Sequence, residues 1–392
     1  MLASHFDDLI ARKNTASVKW DGLRTRFQVE QALPMWVADM DFAAPDVVLE
    51  KMQEKLQHGI FGYTLRTDSY YEAIQQWLAN RHHFNIDTKW IAHAPGIVPG
   101  IGFLIDALTD AGDKVVVQPP VYHPFERVIR NYDRQVLRAP LAFDGTRYQM
   151  NFDALEAQFQ AGAKAWILCS PHNPVGRVWT ADELRTAGEL ALQYNVTVIS
   201  DEIHHDLVYK NYHHTPFASL DERFKNISVT AIAPSKTFNL AGLQTAAMII
   251  PNPDMLQKYK KVLQKYSMEG ANTFGVIALE AAYRKGEPWL NELLDYLEGN
   301  LVTLQQLLLE KMPQIKLIKP EGTYLAWLDC RELGFTKAEL DHFFVHEAGV
   351  AMDEGHLFGE EGTGFQRMNL ACPRSYIDEA IANITAAWNK KN

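Results

Sequence analysis

The stretch VTVISDEIHHD, residues 196–206, places a short apolar run directly before a cluster of ionisable side chains. Three of the five residues 196–200 are apolar and none is charged, which is typical of a strand that helices cover on both faces of a sheet. In such sheets the ligands bind at the carboxyl ends of the strands. The stretch therefore predicts a buried parallel strand with functional side chains at its end.

Short apolar runs of the same kind occur elsewhere in the chain, and amphipathic stretches separate them. They are KVVVQ (114–118), AWILCS (165–170), ISVTAIA (227–233) and AAMII (246–250). In one of the intervening stretches, Thr180 followed by Glu183 predicts a capping box at the start of a helix over 180–194. This alternation predicts βαβ units, a mostly parallel sheet and therefore an α/β fold.

The length and composition allow a second, smaller domain. The chain has 392 residues, 47% of them hydrophobic, which is enough for a large core and two domains. Beyond the apolar runs, the pattern predicts a helix over 290–311, a strand near 323–328 and a final helix over 375–388. We predict a large α/β domain over 50–289 and a small α+β domain formed by 1–49 plus 290–392.

Composition argues against several classes of protein. The net charge is −10 without a basic run, so a nucleic-acid partner is not expected. No apolar stretch approaches the ~20 residues that span a bilayer, and the acidic N-terminal segment does not resemble a signal peptide. The three cysteines are far apart in sequence, so neither a disulfide framework nor a CxxC zinc site is predicted. We expect a cytoplasmic protein without membrane partners.

Four different polar groups follow the predicted strands. Asn173 lies in a Pro- and Gly-rich turn after one strand, Asp201 and His204 follow the next, and Lys236 follows the third. Because parallel strands end at the same edge of a sheet, amide, carboxylate, imidazole and amine should meet there. A pyridoxal 5′-phosphate site needs this set: an amine for the aldehyde, a carboxylate for the pyridine nitrogen, and a donor for the phenolic oxygen.

A glycine-containing loop could serve the phosphate of such a cofactor. Residues 96–100 (GIVPG) precede an apolar helical run, and the free N–H groups at a helix N-terminus bind phosphate. Each of these features also has an ordinary explanation. Asn173 can be a turn residue, Asp201 a helix N-cap and Lys236 an exposed loop residue. A single site explains why such polar residues occur at successive strand ends better than a separate ordinary role for each residue.

The histidines allow a different kind of site. His204 and His205, together with the acidic residues of 201–206, could ligate a metal ion. We predict no metal, because a second cluster of ligands is not evident and a metal site would leave Lys236 unexplained. The histidine pairs 82–83 and 213–214 are expected on the surface.

Longer motifs carry a family resemblance over nearly the whole chain. SPHNPVGRVWT (170–180), SDEIHHDLVY (200–209) and APSKTFNLAGL (233–243) resemble the large domain of fold-type I pyridoxal-phosphate enzymes, the aspartate aminotransferase superfamily. WVADMDF (36–42) and His204 are most similar to its branch of MalY/PatB-type cystathionine β-lyases. The resemblance implies a mostly parallel seven-stranded sheet sandwiched by helices, pyridoxal 5′-phosphate as cofactor, and a homodimer.

The resemblance also implies a role for each residue at the strand ends. Lys236 would hold the cofactor as a Schiff base and move the α-proton of the substrate. Asp201 would pair with the pyridine nitrogen. Asn173 and His204 would hydrogen-bond the phenolic oxygen, His204 standing where most of the superfamily has tyrosine. Tyr122 would stack on the ring.

Neutral groups are implied to bind the phosphate. Ile97 and Val98 would supply backbone amides, Ser235 a hydroxyl, and Tyr63 of the other subunit a phenol across the dimer interface. Many aminotransferases of the superfamily have an arginine eight residues after the lysine, where this chain has Gln244. That departure agrees with the lyase branch.

For the substrate, the resemblance implies that Arg374 binds the α-carboxylate, because a planar guanidinium suits this task. Trp36 and Ala38 would contact the substrate, and Met35, Trp36 and Tyr63 would form an apolar wall for a thioether. The expected reaction is β-elimination from L-cystathionine or other cysteine S-conjugates to pyruvate, ammonia and a thiol. The alternative is an aminotransferase for aromatic or other apolar amino acids.

Overall fold

The computed structural model describes residues 5–391. Strands in this part of the chain are β1 Leu33–Pro34, β2 Ile91–Ala94, β3 Lys114–Val117, β4 Gln135–Arg138, β5 Ala142–Phe143, β6 Tyr148–Gln149, β7 Ala163–Cys169, β8 Thr197–Asp201, β9 Ser228–Ile232, β10 Ala246–Ile249, β11 Lys316–Ile318, β12 Leu325–Asp329, β13 Val350–Ala351, β14 Asp353–Glu354 and β15 Phe365–Asn369.

The α-helices of the same residues are α1 Val18–Asp21, α2 Leu23–Phe27, α3 Asp46–His58, α4 Asp68–His82, α5 Ile97–Leu108, α6 Pro124–Asn131, α7 Phe152–Gln160, α8 Ala181–Gln193, α9 Glu222–Ile227, α10 Pro234–Thr237, α11 Pro253–Lys265, α12 Thr273–Lys285, α13 Glu287–Lys311, α14 Lys337–His342 and α15 Arg374–Lys391. The predicted capping box of Thr180 and Glu183 is present at the start of α8.

A seven-stranded sheet forms the centre of the fold, in the order β2-β10-β9-β8-β7-β3-β4. Strands β9, β8, β7, β3 and β4 run parallel to one another, and β10 is antiparallel to both β2 and β9. The predicted α/β class with a mostly parallel sheet is confirmed. The five predicted apolar runs are five of these strands, whereas the edge strands β2 and β4 were not among them.

Helices cover both faces of this sheet because the side chains of its strands alternate between two apolar layers. Along β7, Ala165, Ile167 and Cys169 belong to the layer that includes α5 and α6. Trp166 and Leu168 belong to the opposite layer, which includes α7 and α8. Burial on both sides explains why these strands are continuously apolar in sequence.

A close approach brings the N-terminal half of α5 onto the sheet. A Cβ atom at Gly100 would lie 2.1 Å from Cε of Met248 and 2.9 Å from Cβ of Ala94. Glycine therefore allows the helix to sit against β2 and β10. This contact fixes the start of α5 beside the carboxyl end of the sheet.

A second, four-stranded antiparallel sheet has the order β11-β12-β15-β14. The N-terminal segment is tied to it, since Asn369 Nδ2 donates to the carbonyl oxygen of Val37 at 2.6 Å and to that of Asp39 at 2.5 Å. This sheet lies in the part of the chain that we predicted to form the small domain. The proposed division at 49 and 289 stays a prediction.

The expectation that both histidine pairs are surface residues is wrong for one member of each pair. His83 and His213 are exposed. The side chain of His82 is only 5% exposed, and His214 is buried.

Within residues 5–391, no helix combines the length and the apolar character needed to cross a membrane.

Candidate active site

Three loops that carry predicted site residues leave the central sheet at one level. Cys169 at the end of β7 pairs with Asp201 at the end of β8, and Asp201 pairs with Ala231 near the end of β9. A cavity of about 340 Å³ lies at this edge. The predicted residues that line it are Trp36, Ala38, Ile97, Val98, Tyr122, Asn173, Asp201, His204, Ser235 and Lys236.

Lys236 lies on the single-turn helix α10, which begins directly after β9 with Pro234. Its Nζ atom donates a hydrogen bond to the carbonyl oxygen of Ala38 at 2.5 Å. Burial and, to a smaller extent, the positive charge of Arg367 lower the pKa of the Lys236 amine to about 8. A substantial fraction of the amine is therefore neutral near physiological pH, as a nucleophilic lysine requires.

Asp201 is buried at the end of β8 and accepts one hydrogen bond, from the backbone N–H of Ile203 at 3.1 Å. Burial raises the pKa of its carboxyl to about 7, and the neighbouring charge of Glu202 acts in the same direction. A buried carboxyl with so few donors is suited to receive a positively charged N–H from a ligand.

His204 and Asn173 line the same cavity as this carboxyl. Nδ1 of His204 is buried without a hydrogen-bond partner, and its ring lies 6.0 Å from that of Tyr324. The side-chain oxygen of Asn173 accepts from Nη1 of Arg367 at 3.0 Å. An orphaned polar atom beside a cavity indicates that a ligand completes the site.

The start of α5 offers an anion site on the same cavity. Ile97 and Val98 occupy its first turn after the N-cap Gly96, and the N–H groups of a first turn have no partner within the helix. The side chains of Ser235 and Gln244 line the cavity as well. Position 244 is an uncharged glutamine, so it does not offer the positive charge that an arginine there would bring to a phosphate.

These groups fit pyridoxal 5′-phosphate. The chain supplies an amine of lowered pKa, a buried carboxyl, an unpartnered imidazole and a helix N-terminus, which match the aldehyde, the ring nitrogen, the phenolic oxygen and the phosphate. Tyr122 also lines the cavity. The roles of the individual residues stay predictions.

The predicted placement of Arg374 in this site is wrong. Arg374 begins α15, where its Nε donates to Asn300 and its guanidinium lies 5.0 Å from the ring of Tyr296, outside the cavity. Arg367 on β15 lines the cavity instead. Its Nη2 donates to the carbonyl oxygen of Trp36 at 3.0 Å and to the carboxylate of Asp353.

Two other predicted wall residues lie elsewhere. Met35 is buried in the apolar core and does not line the cavity. Tyr63 is fully exposed in residues 59–67, which contain no helix or strand, and it does not line the cavity of its own chain. Its predicted contact with the cofactor of a partner subunit stays a prediction.

A family model described as aminotransferase class I and II matches residues 33–384. The chain belongs to this family. Cystathionine beta-lyase PatB of Bacillus subtilis is 43% identical over 384 residues, which cover 98% of this chain and 99% of that protein. This degree of similarity over full length agrees with the branch that the sequence motifs indicated.

Two solved structures of the family are similar to this fold. Cystalysin from Treponema denticola, which contains a pyridoxal 5′-phosphate cofactor, has a TM-score of 0.95 and 35% identity over 99% of each chain. The PLP-bound C-S lyase from Staphylococcus hominis has a TM-score of 0.91 and 33% identity over 98% of each chain. The likeness covers both sheets of the aminotransferase class I and II fold.

Sequence reasoning missed the polar residues that the second sheet contributes to this aminotransferase-family site. Arg367 and Asp353 come from β15 and β14, and both line the cavity. The sequence contains a signal for Arg367, because it is a charged residue within the short, buried strand FQRMN. Asp353 follows an apolar pair without any comparable pattern.

Proposed function

We propose that this protein is a pyridoxal-phosphate-dependent carbon–sulfur β-lyase. It removes a thiol from the β-carbon of L-cystathionine or another cysteine S-conjugate and yields pyruvate and ammonia. The observation that carries this proposal is a cavity in which Lys236, Asp201 and Arg367 meet beside an apolar wall of Val37 and Ile203. The similarity to cystathionine beta-lyase PatB and to the C-S lyase of Staphylococcus hominis supports it.

When bound, the cofactor supplies an electron sink that makes loss of the α-proton possible. Lys236 provides the base: its amine, with a pKa lowered to about 8, removes that proton at Nζ. Asp201 holds the proton of the ring nitrogen by its negative charge. Ser235 and the first turn of α5 hold the phosphate.

In the elimination step a single group, the amine of Lys236, carries the proton from the α-carbon to the leaving sulfur. The Cα–H bond and the Cβ–S bond break, and a Cα–Cβ double bond forms. The sulfur leaves with the electron pair of the Cβ–S bond, and the proton held on Nζ of Lys236 is delivered to it. The released enamine takes up water and gives pyruvate and ammonia.

Arg367 binds the α-carboxylate of the substrate in this proposal. Its guanidinium is held in place by Asp353, Asn173 and the carbonyl oxygen of Trp36, so its positive charge is fixed beside the cavity. In residues 5–391 it is the one arginine that lines the cavity. A cysteine S-conjugate with its α-carboxylate at Arg367 and its thioether against the apolar wall suits this arrangement.

The decisive test supplies the purified, cofactor-loaded protein with L-cystathionine in the absence of any keto acid. Pyruvate and free thiol are measured together. Sustained and equal release of both establishes β-elimination. L-Alanine is the control, because it has the same α-carboxylate but no leaving group and should yield no pyruvate.

An aminotransferase is the second candidate, because the family model itself describes aminotransferases of class I and II. In that case turnover appears only when a keto acid is added, and thiol is not released. Aromatic and other apolar amino acids are the substrates to assay. This outcome would contradict the lyase proposal.

We also propose a homodimer in which Tyr63 reaches the phosphate of the partner's cofactor. The exposed apolar side chains of Ile60, Phe61 and Leu65 on the same segment support it, because neighbouring apolar groups favour burial in an interface. Tyr63→Phe should release the cofactor several-fold faster. Tyr266→Phe, another exposed tyrosine, is the matched control, and unchanged release in Tyr63→Phe would contradict the contact.

A cytoplasmic location is proposed from the cysteines. Cys169, Cys330 and Cys372 are free and buried. Unpaired thiols are typical of proteins that work in a reducing compartment.

A further inference from the structure

A second cluster of ionisable side chains lies outside the cavity. His82 is at the end of α4, and His205 and Asp206 belong to the turn after β8. Nε2 of His82 lies 2.8 Å from Oδ1 of Asp206, and Nε2 of His205 lies 3.3 Å from Oδ2. The side chains are 5%, 1% and 0% exposed for His82, His205 and Asp206. The proposed lyase reaction uses none of them.

The contacts of His205 leave one buried nitrogen unexplained. Nδ1 lies 2.5 Å from the carbonyl oxygen of Glu202, so it must carry a hydrogen and donate it. In a neutral imidazole Nε2 then holds a lone pair. This atom is buried without a hydrogen-bond partner and faces a carboxylate oxygen, which also offers only lone pairs. Two acceptors face each other, and a cation between them would remove the conflict.

We propose that His82, His205 and Asp206 bind one divalent transition-metal ion, with Zn²⁺ as the best match. Two imidazoles and a carboxylate are typical ligands for zinc. The three ligand atoms lie within 4.8 Å of one another, so small side-chain rotations bring them to coordination distances of about 2.0–2.2 Å. The N–H of His205 on a backbone carbonyl is the outer contact that metal-binding histidines commonly make.

A large cavity adjoins this cluster on one side, although the three side chains themselves are almost fully covered. A cavity of about 690 Å³ is lined by the three ligands and by His83, His213 and other residues of the surrounding loops. The ion would enter from this cavity and complete its coordination there with water. The site is thus open on one side and closed by protein on the other.

The neighbouring groups predict only modest affinity. Nε of Arg81 lies 3.3 Å from Oδ1 of Asp206, and its positive charge opposes a second cation. Arg81 has another carboxylate within reach, since its Nη1 lies 3.2 Å from Glu287. Arg81 can therefore turn to Glu287 when the ion binds. Thr237 also donates to Oδ2 of Asp206, at 2.8 Å, and competes with the ion for that oxygen.

A bound ion would join α4 to the loops of the active site. Asp206 is linked through Thr237 to the helix that carries Lys236, and His205 is adjacent to His204. The expected effect is stabilisation, because an ion that binds only the folded state raises the free energy of unfolding. The proposal does not depend on which reaction the cavity performs.

The first test is zinc binding to the chelator-treated, cofactor-loaded protein. After equilibrium dialysis against Zn²⁺, elemental analysis should give one ion per chain, and the melting temperature should rise. His205→Ala should bind at least about tenfold more weakly and show no such rise. His83→Ala and His213→Ala remove exposed histidines of the same cavity and should bind like the natural protein.

A second variant tests the same site in the opposite direction. Arg81→Gln removes the competing charge and should bind Zn²⁺ more tightly than the natural protein. The cofactor absorption and the melting curve in the absence of zinc show whether each variant is folded. The proposal is wrong if the natural protein binds less than one ion per chain. It is equally wrong if folded His205→Ala and Arg81→Gln both bind like the natural protein.

Discussion

The six residues 201–206 carry two clusters of buried side chains, and their adjacent carboxylates Asp201 and Glu202 differ in how completely their oxygens are paired. Asp201 and His204 line the active-site cavity, whereas Glu202, His205 and Asp206 lie behind it. All five side chains are buried. Because the two sets alternate along one short segment, their differences come from their neighbours rather than from the type of residue.

Glu202 is satisfied by the fold itself. It accepts hydrogen bonds from the hydroxyl of Ser200, the ring of His214 and the backbone N–H of Phe217. Asp201, at the preceding position, accepts one hydrogen bond from Ile203. Buried polar groups are normally paired, so the incomplete pairing of Asp201 marks the side that a ligand completes.

The pKa shifts follow the same division. Burial raises the pKa of Asp201 to about 7 because little opposes it. Burial would also raise the pKa of Glu202, but the charge and hydrogen bond of His214 and the hydroxyl of Ser200 hold it below its ordinary value. The cavity therefore has groups poised between two protonation states, whereas the carboxylate behind it is fixed in one state.

Lys236→Ala should give the largest effect, because it removes the amine that the proposed reaction uses. We expect a loss of at least about a thousandfold in pyruvate release, since general acid–base catalysis alone contributes up to about 10⁴-fold. The measurement is pyruvate and thiol release from L-cystathionine. Lys210→Ala, an exposed lysine paired with Asp295, is the control and should keep full activity. Normal turnover by Lys236→Ala would refute the lyase site.

Arg367→Ala should give the next largest effect and distinguishes the arginine in the cavity from the one outside it. The loss of a buried, charge-assisted carboxylate contact costs about 3 kcal/mol or more, which is a reduction of about a hundredfold in kcat/KM. Arg374→Ala should leave kcat/KM within about twofold and lower thermal stability slightly. A larger kinetic effect at Arg374 than at Arg367 would reverse the assignment.

The sequence predicted the interior of the central sheet and the residues at its strand ends. Strands buried on both faces must be continuously apolar, and this signal identified five of them. The edge strands β2 and β4 were missed because they lack this signal: β4 (QVLR) is only half-buried and β2 (IAHA) contains a histidine.

Residues whose position depends on long-range packing could not be predicted from local pattern. Arg367 reaches the cavity because β15 pairs with β12 and β14 in the second sheet. Arg374 does not reach it, because it begins α15, where it donates to Tyr296 and Asn300. Likewise, nothing local distinguishes His82 from His83. The turn that carries Asp206 buries only the first of them.

Asp201→Asn and Glu202→Gln together test the division between the two clusters. At pH 8 the cofactor-free Asp201→Asn protein should be more stable than the natural protein by about 2 kcal/mol, because the buried charge is removed. The folded-state pKa is raised, so this gain should shrink as the pH falls below 7 and Asp201 becomes protonated. Its cofactor affinity should fall at least about tenfold.

Glu202→Gln should show the reverse result. The change leaves His214 and Phe217 without their charged acceptor, and the free energy of unfolding should fall by about 3 kcal/mol. Cofactor affinity should stay within about twofold. Urea unfolding of the cofactor-free proteins and cofactor titration measure the two quantities. If both variants lose stability equally, the difference in pairing between the two clusters has no energetic meaning.

The smallest effect concerns the pH dependence of cofactor capture by the cofactor-free protein. The amine of Lys236 attacks the aldehyde only when it is neutral, and its pKa is lowered to about 8. The capture rate should therefore rise about tenfold between pH 7 and pH 9 and then level off. An unperturbed lysine would give a rate that keeps rising beyond pH 10. Stopped-flow absorbance of the bound cofactor measures this rate.

Asp201→Asn is the control for the carboxyl that titrates near pH 7, and it should keep the plateau above pH 9. A plateau that moves to higher pH in the natural protein would show that burial does not tune the amine of Lys236.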